Sequence, residues 1–254
     1  MANKQEILTE ENKVLEFSII KKPQPLLKSI VSLFYEIYLV KGKSAEFTVD
    51  GERLTAKEGC IVAIPPLTPY SCSFQASDKV VQIKIGEKYA SRFFEHSTGK
   101  VLPFLLDDAP FNTTLLNNMF SLFFDEDFTE HERLAFSETF FSKTAKHYGV
   151  KNKENKGDSQ TAEIVRYIYE NYEKDITLET LAKEFCVSKM VLSRKLSKTL
   201  GADLRKFVGD VRVRAYVKMR ADKKYSKTTS IELAYKCGFK SYGTFYRAYK
   251  RYGE

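Results

Sequence analysis

Residues 237 to 253 read CGFKSYGTFYRAYKRYG, the stretch of this chain that mixes aromatics and cations most regularly. Two chemistries suit such a mixture: cations hold a polyanion, and rings stack on unpaired bases. Helical spacing offers the rings a plainer use. Tyr242, Phe245, Tyr246 and Tyr249 recur at i, i+3, i+4 and i+7, which predicts one buried face, while Arg247, Lys250 and Arg251 leave from another side. The basic back of that helix then needs a partner. Other reactive side chains are sparse. Cys60, Cys72, Cys186 and Cys237 are scattered, with no CxxC or Cys/His cluster, so neither a disulfide framework nor a zinc site is expected. His96, His131 and His147 are widely spaced and read as surface or helix residues, not ligands. No catalytic residue, metal or cofactor is expected.

The charge balance shows where a polyanion would bind. Residues 158 to 254 hold 21 Lys+Arg against 12 Asp+Glu, whereas residues 1 to 157 hold 20 against 21. From 183 onward the imbalance sharpens to 19 cations and 6 anions. Solubility alone does not need that excess. Nucleic acid is favoured over a membrane surface because the cations are spread over several short helices. The opening MANKQEILTE lacks an apolar core of the signal-peptide kind, and no run approaches 18 apolar residues. The expectation is a cytoplasmic protein with no membrane partner.

The elements that must carry these residues change character along the chain. Between 14 and 86, short alternating runs such as SLFYEIYLV, AEFTV, CIVAIPP and KVVQIKI are broken by KG, DG, EG and PPLTP, the pattern of an antiparallel sheet or barrel. From about Phe111 the period becomes helical. In TEHERLAFSETFFSKTAKHYG, the residues Leu134, Phe136, Phe140, Phe141, Thr144 and Ala145 gather on one side, with Gly149 at the C-cap position. That side either packs on the barrel or pairs with a second copy, making Thr129 to Tyr148 a candidate dimer surface. GVKNKENKGDSQ reads as a linker. The expected domains are thus 1–150, a linker at 151–160, and an all-helical 161–254.

Within the helical part a unit repeats. LAKEFCVSKMVLSRKLSKTLG and LAYKCGFKSYGTFYRAYKRYG both begin Leu-Ala, place a turn residue (Cys186, Gly238) four positions after that Ala, and end in a basic helix closed by Gly. Ala182 and Ala234 stand where the two helices of each unit approach closely. Thr177 and Ser188 are predicted N-caps. In such a unit the second helix can enter a major groove while the first braces it.

With these motifs in view, residues 162 to 253 resemble the DNA-binding domain of AraC/XylS-family transcriptional regulators. LETLAKEF, VSKMVLSRKLSKTLG, Arg212 in VRVRAY, and IELAYKCGFKSYGTFYRAYKRYG carry the resemblance. It implies an α+β two-domain chain: an N-terminal cupin-like β-barrel with C-terminal helices, then an all-α domain with two helix-turn-helix units. It also implies base-facing positions at Met190, Ser193 and Arg194, with Lys189 and Lys195 near phosphates; in the second unit, Gly243, Thr244 and Arg247, with Lys240 and Lys250 near phosphates. A guanidinium at Arg194 can grip guanine O6 and N7, worth about 1–3 kcal/mol of discrimination; the alternative is a solvated helix arginine. Met190 either touches a thymine methyl or fills helix packing.

Departures from the family pattern matter as well. Gly243 has no side chain where a reading group is usual, so the second unit is expected to read bases weakly and hold mostly phosphate. Cys186 replaces a usual Gly and carries about 1–2 kcal/mol of strain if its φ is positive. Tyr216 and Arg220 replace an Ala and an aliphatic residue in the connecting helix. The absence of a Pro-containing tail after Gly253-Glu254 implies a less stable second unit.

VDGERLTAKEGCIVAIPPLTPYSCSF resembles the cupin-type strand pair of the same family, with Tyr70 where an enzyme cupin often has a metal histidine. The resemblance implies an effector pocket or a protein docking site. A fatty-acid-like effector held by Lys41, Lys43 and Lys224 follows from the family's virulence-type members, solvated lysines being the plainer reading. The leading reading is therefore a non-enzymatic bacterial transcription regulator, an activator in expectation, that binds double-stranded promoter DNA with RNA polymerase as partner and is a candidate homodimer. The rivals are a cupin-type enzyme and a DNA-repair protein carrying a helix-turn-helix domain; the latter needs a nucleophilic Cys beside a base, and neither Cys60 nor Cys72 has a His nearby in sequence.

Overall fold

The alternating runs of the first half fold as short antiparallel strands. The computed structural model describes residues 26–74, 80–86, 89–90, 100–123, 129–152, 159–200 and 202–253. The chain divides into two units, residues 31 to 155, and residues 156 to 254 with strand β1 (Leu26–Ile30). His96 and residues 153 to 158 of the expected linker lie outside the described residues.

In the first unit, β2 (Tyr35–Val40), β5 (Ile61–Ile64), β7 (Val80–Ile85) and β9 (Leu105–Leu106) form one sheet in the order β7-β2-β5-β9. In a second sheet β6 (Tyr70–Ser73), β3 (Ser44–Val49) and β4 (Glu52–Lys57) are successive antiparallel neighbours. Asp50 and Gly51, at φ 55° and 85°, make the two-residue turn whose twist matches its strands and sets Val49 opposite Glu52. β8 (Lys100–Val101) pairs with β10 (Lys151–Asn152).

β3 and β4 alternate buried and exposed residues, so one face of their sheet meets water. β2 is buried throughout because it is covered on both faces. Tyr35, Ile37 and Leu39 join the core of Phe136, Phe140 and Phe141, and Tyr38 meets Phe47 and Tyr70 of the second sheet. The layers are sheet, sheet and helix. The expected closed barrel is not what the described strands make. Closure needs one continuous ladder, and here the two sheets meet through side chains.

Helices α1 (Ala109–Phe123) and α2 (Glu130–Tyr148) follow. Thr129 and Glu132 close a capping box at the start of α2, and Gly149, at φ 76°, ends it by donating to the Ala145 carbonyl at 2.9 Å. Its apolar side proves to be core, not a dimer surface: Phe136, Phe140, Phe141 and Thr144 are buried, with Leu134 and Ala145 packed beside them. Removing each such ring from water contributes about 1.5–3 kcal/mol, which the unit's own sheet already supplies a partner for.

The second unit is helical: α3 (Ser159–Asn171), α4 (Leu178–Glu184), α5 (Lys189–Leu200), α6 (Leu204–Ala221), a 3-10 turn (Lys223–Tyr225), α7 (Ser230–Lys236) and α8 (Tyr242–Gly253). Among the described residues no helix is long and apolar enough to cross a membrane.

Candidate nucleic-acid interface

The sequence repeat is repeated in hydrogen bonds. At the start of α4, Thr177 Oγ1 accepts from the Thr180 amide at 3.1 Å and the Thr177 amide donates to Thr180 Oγ1 at 2.9 Å. At the start of α7, Thr229 Oγ1 accepts from the Glu232 amide at 3.2 Å and the Thr229 amide donates to Glu232 Oε2 at 2.9 Å. Each first helix then reverses through one left-handed residue, Cys186 at φ 52° or Gly238 at φ 87°. The next amide returns to the small alanine: Val187 to the Ala182 carbonyl at 3.0 Å, Phe239 to the Ala234 carbonyl at 3.2 Å. Both alanines are buried, as close approach requires.

Serine caps open both second helices, Ser188 Oγ accepting from the Val191 amide and Ser241 Oγ from the Thr244 amide, each at 3.3 Å. These caps fix the register between the pairs. Lys240 lengthens the second turn by one residue, so Met190 corresponds to Gly243, Arg194 to Arg247, and Ser193 to Tyr246, not to the expected Thr244. Tyr246 is thus a position the sequence reading missed. The signal was present as a helix N-cap, Ser241, displaced by one.

Both helices present a clear outer face. α5 buries Leu192, Leu196, Thr199 and Leu200, leaves Lys189 and Arg194 exposed and Met190 81% exposed, and half-buries Ser193 and Lys195. α8 buries Phe245 and Ala248 and exposes Gly243, Thr244, Arg247 and Lys250. The predicted single aromatic face is corrected here: Tyr242, Tyr246 and Tyr249 are 42%, 53% and 43% exposed. One partner helix reaches only one side of that stripe. Tyr216 on α6 packs its ring against Phe245 at 4.5 Å and Tyr249 at 5.6 Å, so the large residue at this departure from the family pattern fills the interface between pair and connecting helix. Phe239 and Phe245 are core as expected, and Tyr249 keeps one edge in water.

Several of the cations are held by neighbours. Lys189 Nζ lies 2.8 Å from Glu179 Oε1, and Lys240 Nζ 2.9 Å from Asp175 Oδ1, both pairs exposed. Lys195 Nζ donates to Gln160 Oε1 at 3.0 Å, and Arg247 Nε to the Gly243 carbonyl at 3.3 Å. Exposed pairs of this kind are weak in water, so a phosphate can replace either acid. Cys186 does sit in the strained region anticipated for it. Nothing lies within 4 Å of a Cβ built on Gly243, so no neighbour requires a glycine there.

Arg212, a residue of the resemblance, faces inward. Its Nε donates to the Tyr172 carbonyl at 2.7 Å and its Nη2 to the Lys174 carbonyl at 2.8 Å. Burial lowers its pKa, and Asp175 and Glu173 partly restore it. Arg220 Nη1 donates to the Thr228 carbonyl at 3.2 Å.

In the first unit Lys41 and Lys43 are exposed beside the β2–β3 connection, while Lys224, also exposed, belongs to the second unit, where its Nζ lies 5.8 Å from the Tyr225 ring centroid. Tyr70, at the cupin metal position, does something else. Glu36 Oε2 accepts from Tyr70 at 2.5 Å, Tyr38 at 2.7 Å and Gln82 Nε2 at 2.8 Å, and the two tyrosine oxygens are 2.8 Å apart. Burial pushes the Glu36 carboxyl up, but the Lys84 charge and hydrogen bonds from Tyr70, Ser32 and Tyr38 more than offset it and leave it below the ordinary value. The sequence held one sign of this cluster, a lone Glu in the apolar strand YEIYLV.

The chain shares 30% identity over 103 residues, 40% of its length, with the HTH-type transcriptional activator RhaS of Mannheimia succiniciproducens. The resemblance to AraC/XylS-family regulators is borne out. This AraC/XylS-like chain spans about a third (35%) of the length of that relative. Its fold, β-rich sheets followed by a helical domain, is that of ToxT from Vibrio cholerae strain SCE256. The TM-score to a single-substitution variant of ToxT in its apo form is 0.64 at 17% identity, covering 92% of this chain and 90% of that one. For ToxT with an unsaturated fatty acid bound it is 0.63 at 16% identity, covering 91% and 88%. No protein-family model matches the chain.

Proposed function

We propose that this chain is a transcription regulator that binds promoter DNA through two helix-turn-helix units, with α5 and α8 in successive stretches of major groove. The observation that carries the reading is the repeated cap, turn and cap, which puts an exposed guanidinium, Arg194 or Arg247, at the same register of each second helix. A pair of groove-sized helices with matched cations suits duplex DNA. In this reading Met190, Ser193 and Arg194 face bases and Lys189 and Lys195 hold phosphates. Gly243, Thr244, Tyr246 and Arg247 face the second segment, with Lys240 and Lys250 on its phosphates. Because Gly243 offers no side chain, the first unit reads and the second anchors. Residues 161–254 act as the DNA-binding domain, 151–160 as a linker, and 1–150, with its cupin-like strand pair, as the regulatory and dimerisation domain.

Control would act through linkage: an effector changes DNA occupancy only by its differential affinity for the two arrangements. The fatty-acid-bound ToxT neighbour supports a fatty-acid-like effector; Lys41 and Lys43 in the first unit and Lys224 in the second are each a candidate carboxylate partner. RNA polymerase is the partner that promoter binding implies.

The test is titration of the full-length chain with duplex DNA from a randomised pool at rising salt. Selection of a defined sequence, with log K falling linearly in log salt, supports the reading. Failure to enrich any sequence, or binding indifferent to salt, overturns it. For the effector, a long-chain unsaturated fatty acid should shift DNA affinity in the native chain and not in the Lys41→Ala/Lys43→Ala/Lys224→Ala variant; no shift in the native chain removes that part.

A further inference from the structure

The connection between α3 and α4 touches more of the second helix pair than its place in the chain requires. Gly238, the left-handed turn residue of that pair, backs onto it so closely that a Cβ there would lie 2.5 Å from Glu173 Cα and 2.7 Å from its carbonyl oxygen. Arg212 on α6 forks onto the carbonyls of Tyr172 and Lys174 at 2.7 and 2.8 Å. The same guanidinium lies 5.8 Å from the ring centroid of Phe239, the residue after Gly238. Lys240, the extra residue of the second turn, pairs with Asp175 at 2.9 Å. Tyr172 packs against the core of the second pair, beside Tyr216, Phe239 and Phe245. The connection also belongs to the first pair: Thr180 Oγ1 of α4 donates to the Asp175 carbonyl at 3.2 Å, two residues before the Thr177 cap.

We propose that residues 172–175 form a latch that fixes the spacing of the two helix pairs, with Arg212 and Gly238 as its positioning residues. Helix α6 alone would join the pairs at one end of each. A second attachment, from the start of α4 to the turn that aims α8, removes the remaining freedom to splay or twist. Backbone carbonyls and a glycine make the contact, so it is short, specific in shape and independent of any ligand. Two groove-reading helices held at one spacing match DNA segments at one separation and rotation, because inserting a base pair turns the second segment by about 34° for a repeat of about 10.5 base pairs.

The latch rests on the DNA-binding reading for its purpose but can be tested without it. Spin labels on the exposed native Cys186 and on a Tyr246→Cys substitution report the distance between the pairs in the full-length chain without DNA. One narrow distance distribution is expected, broadening in Arg212→Lys, which keeps the charge and loses the planar fork, and less so in Asp175→Asn. An unchanged distribution in both variants overturns the latch, and Asp175→Asn, at an exposed pair, covers the case in which Arg212→Lys unfolds. On duplexes selected by the native chain, one inserted base pair between the two segments should lower native affinity about tenfold or more, on the scale of a mismatched pair. In Arg212→Lys that penalty should shrink to about threefold or less. An equal penalty in the native chain and the folded variants overturns the proposal, whereas failure of the native chain to select any duplex is a failure of the DNA-binding reading and leaves the distance measurement to decide the latch.

Discussion

At the turn of the first helix pair stands Cys186, exposed and at φ 52°; at the turn of the second stands Gly238 at φ 87°, pressed against the backbone of Glu173. The bonds around these two residues are the same, and their freedom is not. The first turn faces water, so a side chain costs only local strain there. The second is a packing surface, and a side chain has nowhere to go. The outer faces invert this: the first pair is crowded at its reading position by Met190, 81% exposed, while the second is open at Gly243. One scaffold thus serves twice, once with its specificity on the outside and once with its constraint on the inside.

Exchanging the turns breaks this comparison most sharply. Gly238→Ala combines a left-handed penalty with overpacking and should destabilise the second unit by about 3 kcal/mol, seen as a lowered Tm in calorimetry. Cys186→Gly should move the other way, by about 0.5–1 kcal/mol, since relief of strain exceeds the added entropy of the unfolded chain. If both changes lowered Tm alike, the two turns would not differ as described.

The outer faces give the next largest difference. Arg194→Ala should cost about 1–3 kcal/mol of discrimination at one base pair, and Arg247→Ala should weaken all duplexes nearly equally while reducing the salt slope by about one. Equal loss of sequence preference in the two variants, measured by binding to single-substituted duplexes, would make both units readers. Gly243→Ala meets no neighbour and should raise helix stability by up to about 1 kcal/mol, visible as slower amide exchange along α8.

The smallest effect is at the caps. Hydrogen bonds from the Thr229 amide and side chain hold the Glu232 carboxyl below its ordinary value, whereas the equivalent partner in the first pair is Thr180, which does not titrate. A folded pKa below the unfolded one contributes stability that is present above the unfolded pKa and lost as pH falls through the folded one. Acidification into that carboxylate range should therefore shift the Thr229 amide resonance further than that of Thr177, whose amide binds no carboxylate and whose side chain only adds to the Lys189 hydrogen bond that lowers Glu179. Parallel shifts at the two threonines would remove the distinction.

Local chemistry was legible in the sequence wherever near neighbours decide it. The Leu-Ala openings, the caps at Thr177 and Ser188, the Asp-Gly turn, the Gly149 end of α2 and the strain at Cys186 all follow from side chains acting on backbone within a few residues. Periodicity found the strands and helices for the same reason. What a face packs against is not local. The apolar side of α2 was equally a dimer surface or a core until the sheet covered it, and the tyrosine stripe of α8 looked buried until α6 reached only part of it. The one-residue shift that brings Tyr246 opposite Ser193 depends on where two turns end in space. Glu36 was one acid in an apolar strand until two sheets brought Tyr38, Tyr70 and Gln82 around it. The sequence by itself determined the elements, the repeat and the concentration of positive charge, because each is written within a few turns of chain. Only the tertiary structure decided which side of each element is inside and that residues 172–175 bind both helix pairs, because those contacts join residues about 40 to 65 positions apart that no period in the sequence relates.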